Sequence, residues 1–331
     1  MNEPEENARA DARLADVARR AGVSITTASH SFTGRRPVSA ATKERVWQAA
    51  LALGFRRSQA RRTIAVILRP PEAVPASRFG TTSFSQLIGG ASMAAMARGY
   101  SVVVARDVSE IAGSVPQLDG CLLLNPNRQD ESLRWLRAEE IPVVSYDQDP
   151  GDSGFRWWVG ADYDRAVTDL LLHMVSRSAR RIALVAGQTD NMYRRAILAT
   201  YDSVIRAAGL NSLVRIADNE RGQSAAFETV SGLLDSPDPV DAVVTTSSVF
   251  AVGALTAARA AGRAVPGELM IATATDGPLA ELENPSITGL RIDALHTAEV
   301  MMDLLERQVA GQEPPETNPR VALNLIHRRS T

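Results

Sequence analysis

Four arginines fall within seven residues, Arg56, Arg57, Arg61 and Arg62, and they belong to a denser pattern. Residues 9–62 carry twelve basic and three acidic groups, a net charge of +9. Glu3, Glu5 and Glu6 give residues 1–8 a charge of −3, so the formal total of −2 leaves −8 on residues 63–331. Guanidinium groups at this density suit a polyanion, so one end of the chain is built for a partner that the rest would repel. Lys43 is the only lysine, so the clustering of arginines is more informative than their number. Within the basic segment lies a run of small hydroxyls, Ser24, Thr26, Thr27 and Ser29, followed by His30. Hydroxyls and backbone N–H groups at a helix start suit phosphate oxygens, contacts that position a protein rather than specify a sequence.

Other reactive side chains do not assemble. Cys121 is the only cysteine, which excludes an intrachain disulfide and a cysteine-based zinc site. His173, His296 and His327 have no second ligand at metal spacing. Gly151-Asp152-Ser153-Gly154 follows Pro150 and reads as a turn, and no GK[ST] follows Gly89-Gly90 to make a phosphate loop. Met93, Met96, Met301 and Met302 suit a core or a dimer face better than a cofactor site. No enzyme, cofactor or metal is expected. With 331 residues, 45% hydrophobic and 22% charged, the chain is long enough for two or three globular domains and is not wholly disordered. No stretch approaches the roughly 18 apolar residues that a bilayer span requires. The N-terminus, MNEPEENARADARL, lacks the apolar core of a signal peptide, so a cytoplasmic protein with no membrane partner is expected.

The elements that must position these groups follow from spacing. Leu14, Val17, Ala18 and Ala21 predict a helix over 14–21, with Asp16 in its first turn and Gly22 ending it. Ser24 caps a second helix, 25–32, and Ser39 a third, 40–53, closed by Gly54. Helix, glycine turn and Ser-capped helix make a helix-turn-helix. From Thr63 onward short β-rich runs alternate with helical segments, which predicts parallel sheets with helices on both faces. About ten strands are too many for one doubly wound unit, so two subdomains are expected, with ligands at the carboxyl ends of strands between them.

The motifs Asp16-Val17-Ala18-x-x-Ala21-Gly22-Val23-Ser24-x-x-Thr27-x-Ser29, Val38-Ser39-x-x-Thr42-x-Glu44-Arg45-Val46 and Leu53-Gly54-Phe55 resemble the DNA-binding head of LacI/GalR-family transcriptional regulators. Arg181-Ile182-Ala183-Leu184-Val185-x-Gly187, Ala261-Gly262-x-x-Val265-Pro266 and Pro285-x-Ile287-Thr288 are similar to that family's effector core, which is itself like periplasmic sugar-binding proteins. The resemblance implies an all-α head on an α/β periplasmic-binding-protein-like core of two doubly wound parallel-sheet subdomains. It divides the chain into a tail (1–12), a head (13–55), a short Arg-rich linker (56–62) and a core (63–331). In the core, 63–160 plus 291–318 form one subdomain and 161–290 plus 319–331 the other. It also implies a repressor that binds a near-palindromic double-stranded DNA operator as a homodimer, modulated by a small-molecule effector of unknown class. The alternative left open is a ligand-binding protein whose head is a protein-interaction module.

By the same resemblance, Ile25, Thr26 and His30 take the base-reading positions of the second helix. Ile25 can offer only an apolar contact, such as one to a thymine methyl. Ser24, Thr27 and Ser29 would meet phosphate. The linker departs from the family: Arg56 to Arg62 is some seven residues short and holds neither the leucine wedge nor the proline of a hinge helix. Its arginines suit a narrow minor groove or serve a flexible tether, and a straighter operator than the family's is expected. The pocket departs too. Asp147 and Asp162 match family carboxylates, and Arg194 and Arg195 lie within a turn of the position where Ile197 replaces an arginine. Ser247-Ser248 replaces Asn-Asp, and Thr275-Asp276 replaces Asp-Asp. With these anchors for sugar hydroxyls altered, either an effector of another class or a pocket that has lost small-molecule sensing is expected, the former favoured.

Overall fold

The computed structural model describes residues 14–33, 36–53, 62–69, 83–111 and 118–331. The chain forms two compact units, residues 1–61 and 62–331.

In the first unit, α1 (Leu14–Ala21), α2 (Ile25–Thr33) and α3 (Ala40–Ala52) bury Val17, Ala18, Ala28, Val46 and Ala49 in one small core. Gly22 takes φ +64°, and the N–H of Val23 donates to the carbonyl of Ala18 at 3.0 Å. That left-handed residue lets the chain turn straight from α1 into α2. Ser24 Oγ accepts from the Thr27 N–H at 3.0 Å, and Ser39 Oγ accepts from the Thr42 N–H at 3.3 Å. Both capping serines therefore sit where the sequence places them.

The second unit holds two six-stranded sheets, ordered β11-β5-β4-β3-β1-β2 and β12-β10-β9-β8-β6-β7. The first contains β1 (Thr63–Leu68), β2 (Ser101–Ala105), β3 (Gly120–Leu124), β4 (Val143–Tyr146), β5 (Trp158–Ala161) and β11 (Arg320–Val321). The second contains β6 (Ile182–Gly187), β7 (Val214–Ala217), β8 (Ala242–Thr245), β9 (Met270–Thr273), β10 (Thr288–Ile292) and β12 (Leu323–Ile326). All pairings are parallel except that of β10 with β12. The connecting helices are α4 (Ser83–Ala97), α5 (Glu131–Ala138), α6 (Tyr163–Ser176), α7 (Met192–Ala207), α8 (Gln223–Leu234), α9 (Ser248–Ala260), the short α10 (Pro278–Glu281) and α11 (Ala294–Val309).

The chain passes between the subdomains after Ala161, after Ile292 and at Ala322. The expectation assigned 319–331 wholly to the second subdomain, whereas β11 extends the first sheet. Gly160 N–H donates to Pro319 O and Asp162 N–H to Val321 O, both at 3.0 Å. A two-residue strand has no periodicity to read, and only these ladder bonds reveal it. Helix α11 returns to the first subdomain and packs along α4. The approach is close because Gly90 has no side chain: a Cβ there would lie 2.5 Å from the Ala294 carbonyl oxygen.

Candidate functional site

On α2 the buried side is Ala28 and Ser31, and the Ser31 hydroxyl donates back to Thr27 O at 2.9 Å. The opposite side carries Ile25, 55% exposed, and the exposed Thr26, with Ser29 and His30 one turn later. Positions i, i+1, i+4 and i+5 share one helical face, so these four residues form a single strip at the start of the helix. Ser24 and Thr27 hydroxyls lie 2.8 Å apart and are spent on each other and on the cap. The helix start keeps its unpaired N–H groups and dipole for an anion.

Arg56, Arg57 and Arg61 lie outside the described residues. Arg62 belongs to the second unit, and its guanidinium carbon stands 4.3 Å from the centroid of the Tyr100 ring. Its carbonyl accepts from Ser101 N–H at 2.8 Å, and the next N–H, of Thr63, donates to Asp119 Oδ2 at 2.6 Å. Arg62 thus makes a cation–π contact on the body while remaining exposed.

In the inner cleft, where β4, α6 and α7 meet, the protein's own side chains pair with one another. Asp147, at φ +68°, is 1% exposed. It accepts from the Tyr163 hydroxyl at 2.6 Å and from Asn125 Nδ2 at 3.2 Å. Burial pushes its carboxyl up to about 7, against the lowering effect of the Tyr163 hydrogen bond. Burial also raises Tyr146 and Tyr163 well above the usual phenol range, with the Asp147 charge adding to it. Tyr193 crosses Tyr163 edge-to-face at 5.4 Å and donates to Thr246 O at 2.6 Å. The Thr275 hydroxyl also points to Thr246 O, at 3.3 Å.

Several expected effector residues are committed elsewhere. Asp276 is buried, with Arg328 in a two-pronged pair at 2.7 and 2.9 Å and Arg291 at 2.7 Å. These arginines lie on and beside the antiparallel β10–β12 pair, so Asp276 binds its own subdomain rather than a ligand. Ser247 caps α9 by accepting from Phe250 N–H at 3.2 Å. Arg195 pairs with Asp190 through both carboxylate oxygens, at 2.7 and 2.8 Å. Asp162 precedes α6 without a side-chain capping bond, and Arg194 Nε is buried without a hydrogen-bond partner.

A cavity of about 300 Å3 lies at the cleft mouth. Asn127 and Arg128, after β3, face Gln188, Thr189 and Asp190, after β6, and Asn219 and Glu220, after β7. The Arg128 N–H donates to Asp190 O at 2.8 Å, and Asn127 bridges to Asn191, so the two subdomains touch beside the cavity. The sequence reading missed these residues and the tyrosines. The rule that ligands lie beyond strand C-termini could have found Asn127, Arg128 and Glu220.

Comparison with known proteins decides the family. A model of bacterial regulatory proteins of the lacI family matches residues 13–58, and one of a periplasmic binding protein-like domain matches residues 171–331. The regulator CelR of Thermobifida fusca is 28% identical over 334 residues, covering 95% of this chain and 96% of its own. The chain belongs to the LacI family. A solved CelR–cellobiose complex is 26% identical at a TM-score of 0.73, covering 97% of this chain and 100% of that one. The lac repressor dimer bound to operator and the anti-inducer ONPF is 20% identical at a TM-score of 0.75, covering 97% and 99%, and shares the fold. The head is a LacI-type helix-turn-helix and the body a periplasmic-binding-protein-like core, and this LacI-family protein is a DNA-binding transcription regulator.

Proposed function

We propose that this regulator is a repressor without catalytic activity that acts in the cytoplasm, reads a near-palindromic operator as a homodimer, and responds to a small molecule bound between its core subdomains. The observation that carries the reading is the strip of exposed Ile25 and Thr26 with half-buried Ser29 and His30, opposite the buried Ala28, in a segment of charge +9. One such helix reads one half-site, so two copies are needed for a palindrome. The exposed Met93 and Met96 on α4 and Val104 on the edge strand β2 supply an apolar face suited to a second copy. No helix among the described residues is long and apolar enough to cross a membrane.

The linker reading is retained as part of the proposal: a short Arg-rich connection without a leucine wedge leaves the operator straighter than a wedged one. The test is selection of bound sequences from a random DNA pool, followed by gel shift at several salt concentrations and circular-permutation bending. A palindromic consensus with little bend is expected. Failure to enrich any sequence would overturn the repressor reading, and a sharp central bend would overturn the linker reading.

A further inference from the structure

We propose that the cavity at the cleft mouth binds a small zwitterion, an amino acid or short peptide, with its carboxylate on Arg128 and its ammonium at Glu220. The proposal rests on the ligand-modulated reading above and names the ligand's class.

Arg128 and Glu220 are both exposed, line one cavity, and form no ion pair among the described residues. They stand on opposite subdomains. The third charge in the lining, Asp190, is neutralised by its two-pronged pair with Arg195. Arg128 acts on Asp190 only as a neighbouring charge, so the lining offers one cation and one anion that are in no salt bridge among the described residues. Amides line the same cavity. Asn127 Oδ1 is buried and accepts no hydrogen bond, so it is ready for a ligand donor. Asn219 is fixed by donating to Thr189 Oγ1 at 2.6 Å and by lying where a Cβ on residue 187 would be, 2.1 Å from its Oδ1.

Each competing ligand class leaves something unmatched. A phosphate dianion would meet Glu220. A polyamine would meet Arg128. A neutral sugar would leave both charges unused, and no aromatic ring lines the cavity for its apolar face. At about 30 Å3 per water, the space corresponds to roughly ten waters, which a free amino acid or dipeptide can displace. A ligand tied to Arg128 and Glu220 would also fasten the two subdomains together, beside the existing contact of Arg128 N–H with Asp190 O.

The test is titration calorimetry of the full chain with the standard L-amino acids and simple dipeptides, with cellobiose, glucose 6-phosphate and spermidine as comparisons. At least one zwitterion is expected to bind. Arg128→Gln and Glu220→Gln should each weaken it by about tenfold or more, the size of a lost charge-assisted hydrogen bond. The methyl ester of the ligand should bind wild type poorly and lose little more in Arg128→Gln, and the N-acetyl form should behave likewise with Glu220→Gln. Absence of zwitterion binding, or binding indifferent to both substitutions, overturns the proposal, as does tighter binding of cellobiose. Gel shifts on the selected operator run in parallel. A zwitterion that binds as described but leaves operator affinity unchanged supports the site and overturns the regulatory reading instead.

Discussion

Helix α2 leaves Ile25 and Thr26 open to solvent, while the inner cleft shuts Asp147 away with Tyr163, Asn125 and Tyr146 around it. Both places lie where this fold meets partners, yet their polar groups are in opposite states. The head leaves the side chains of Ile25 and Thr26 exposed, so a DNA groove can reach them without opening a buried network. In the cleft, a ligand aiming at Asp147 would have to replace a 2.6 Å hydrogen bond and desolvate itself against tyrosines. A pocket can therefore keep the family's carboxylate in sequence and lose it as a contact. Free binding capacity has moved outward, to the side chains at the mouth.

The strongest way to break this comparison is to remove the head. Deleting residues 1–61 should abolish operator binding and leave a cooperatively folded body, because the second unit has its own cores. Gel shift and circular-dichroism melting check the two halves of that expectation. Asp276→Ala should come next. It removes the two-pronged partner of Arg328, whose side chain is buried and keeps only Glu281 and the Ile287 carbonyl, and should cost about 3–5 kcal/mol in chemical denaturation, the scale for breaking a buried pair. A loss below about 1 kcal/mol would return Asp276 to the list of available ligand groups.

Asp147 gives a pH signature. Its pKa is raised on folding, so the native state binds more protons than the unfolded chain between the ordinary carboxylate range and about 7. Its contribution to stability is greatest below that window and declines as pH rises through it. Asp147→Asn should flatten the slope of stability against pH from about 4 to 7, as read from melting temperatures. An unchanged slope would mean that the carboxyl is solvated and free for ligand. On the head, His30→Ala should relax preference at one operator position per half-site by about 1–3 kcal/mol, read from affinities for a panel of operator variants. The smallest effect is expected of Arg62→Ala. Since its guanidinium lies over Tyr100, the substitution should change the salt dependence of binding by well under one unit and cost the body about 0.5–1 kcal/mol. A full unit of slope would put Arg62 back on the phosphates.

The head was legible because its signals are local. Leu14 to Ala21 repeats at helical spacing, Gly22 must turn, and Ser24 and Ser39 each cap a residue three positions on, so the observed boundaries follow closely. Helix α7 begins at Met192, where Asn191 caps it by accepting from the Arg194 N–H, a local signal of the same kind. The cleft was illegible for a different reason. Asp147 meets Tyr163 16 positions away, Tyr193 meets Thr246 53 away, and Asp276 meets Arg328 52 away. No spacing rule announces such pairs, and a residue type kept in place says nothing of who has already claimed it.

The three crossings between subdomains also constrain the order in which the molecule can be made. Helix α4 lacks its packing partner until residues 294–309 exist, and the second sheet waits for Leu323 to Ile326 to cover β10. A chain leaving the ribosome can close its three small helices almost at once. Neither larger lobe can be completed until nearly all of the polypeptide has emerged, so a nascent regulator presents a finished DNA-reading module while its sensor is still open.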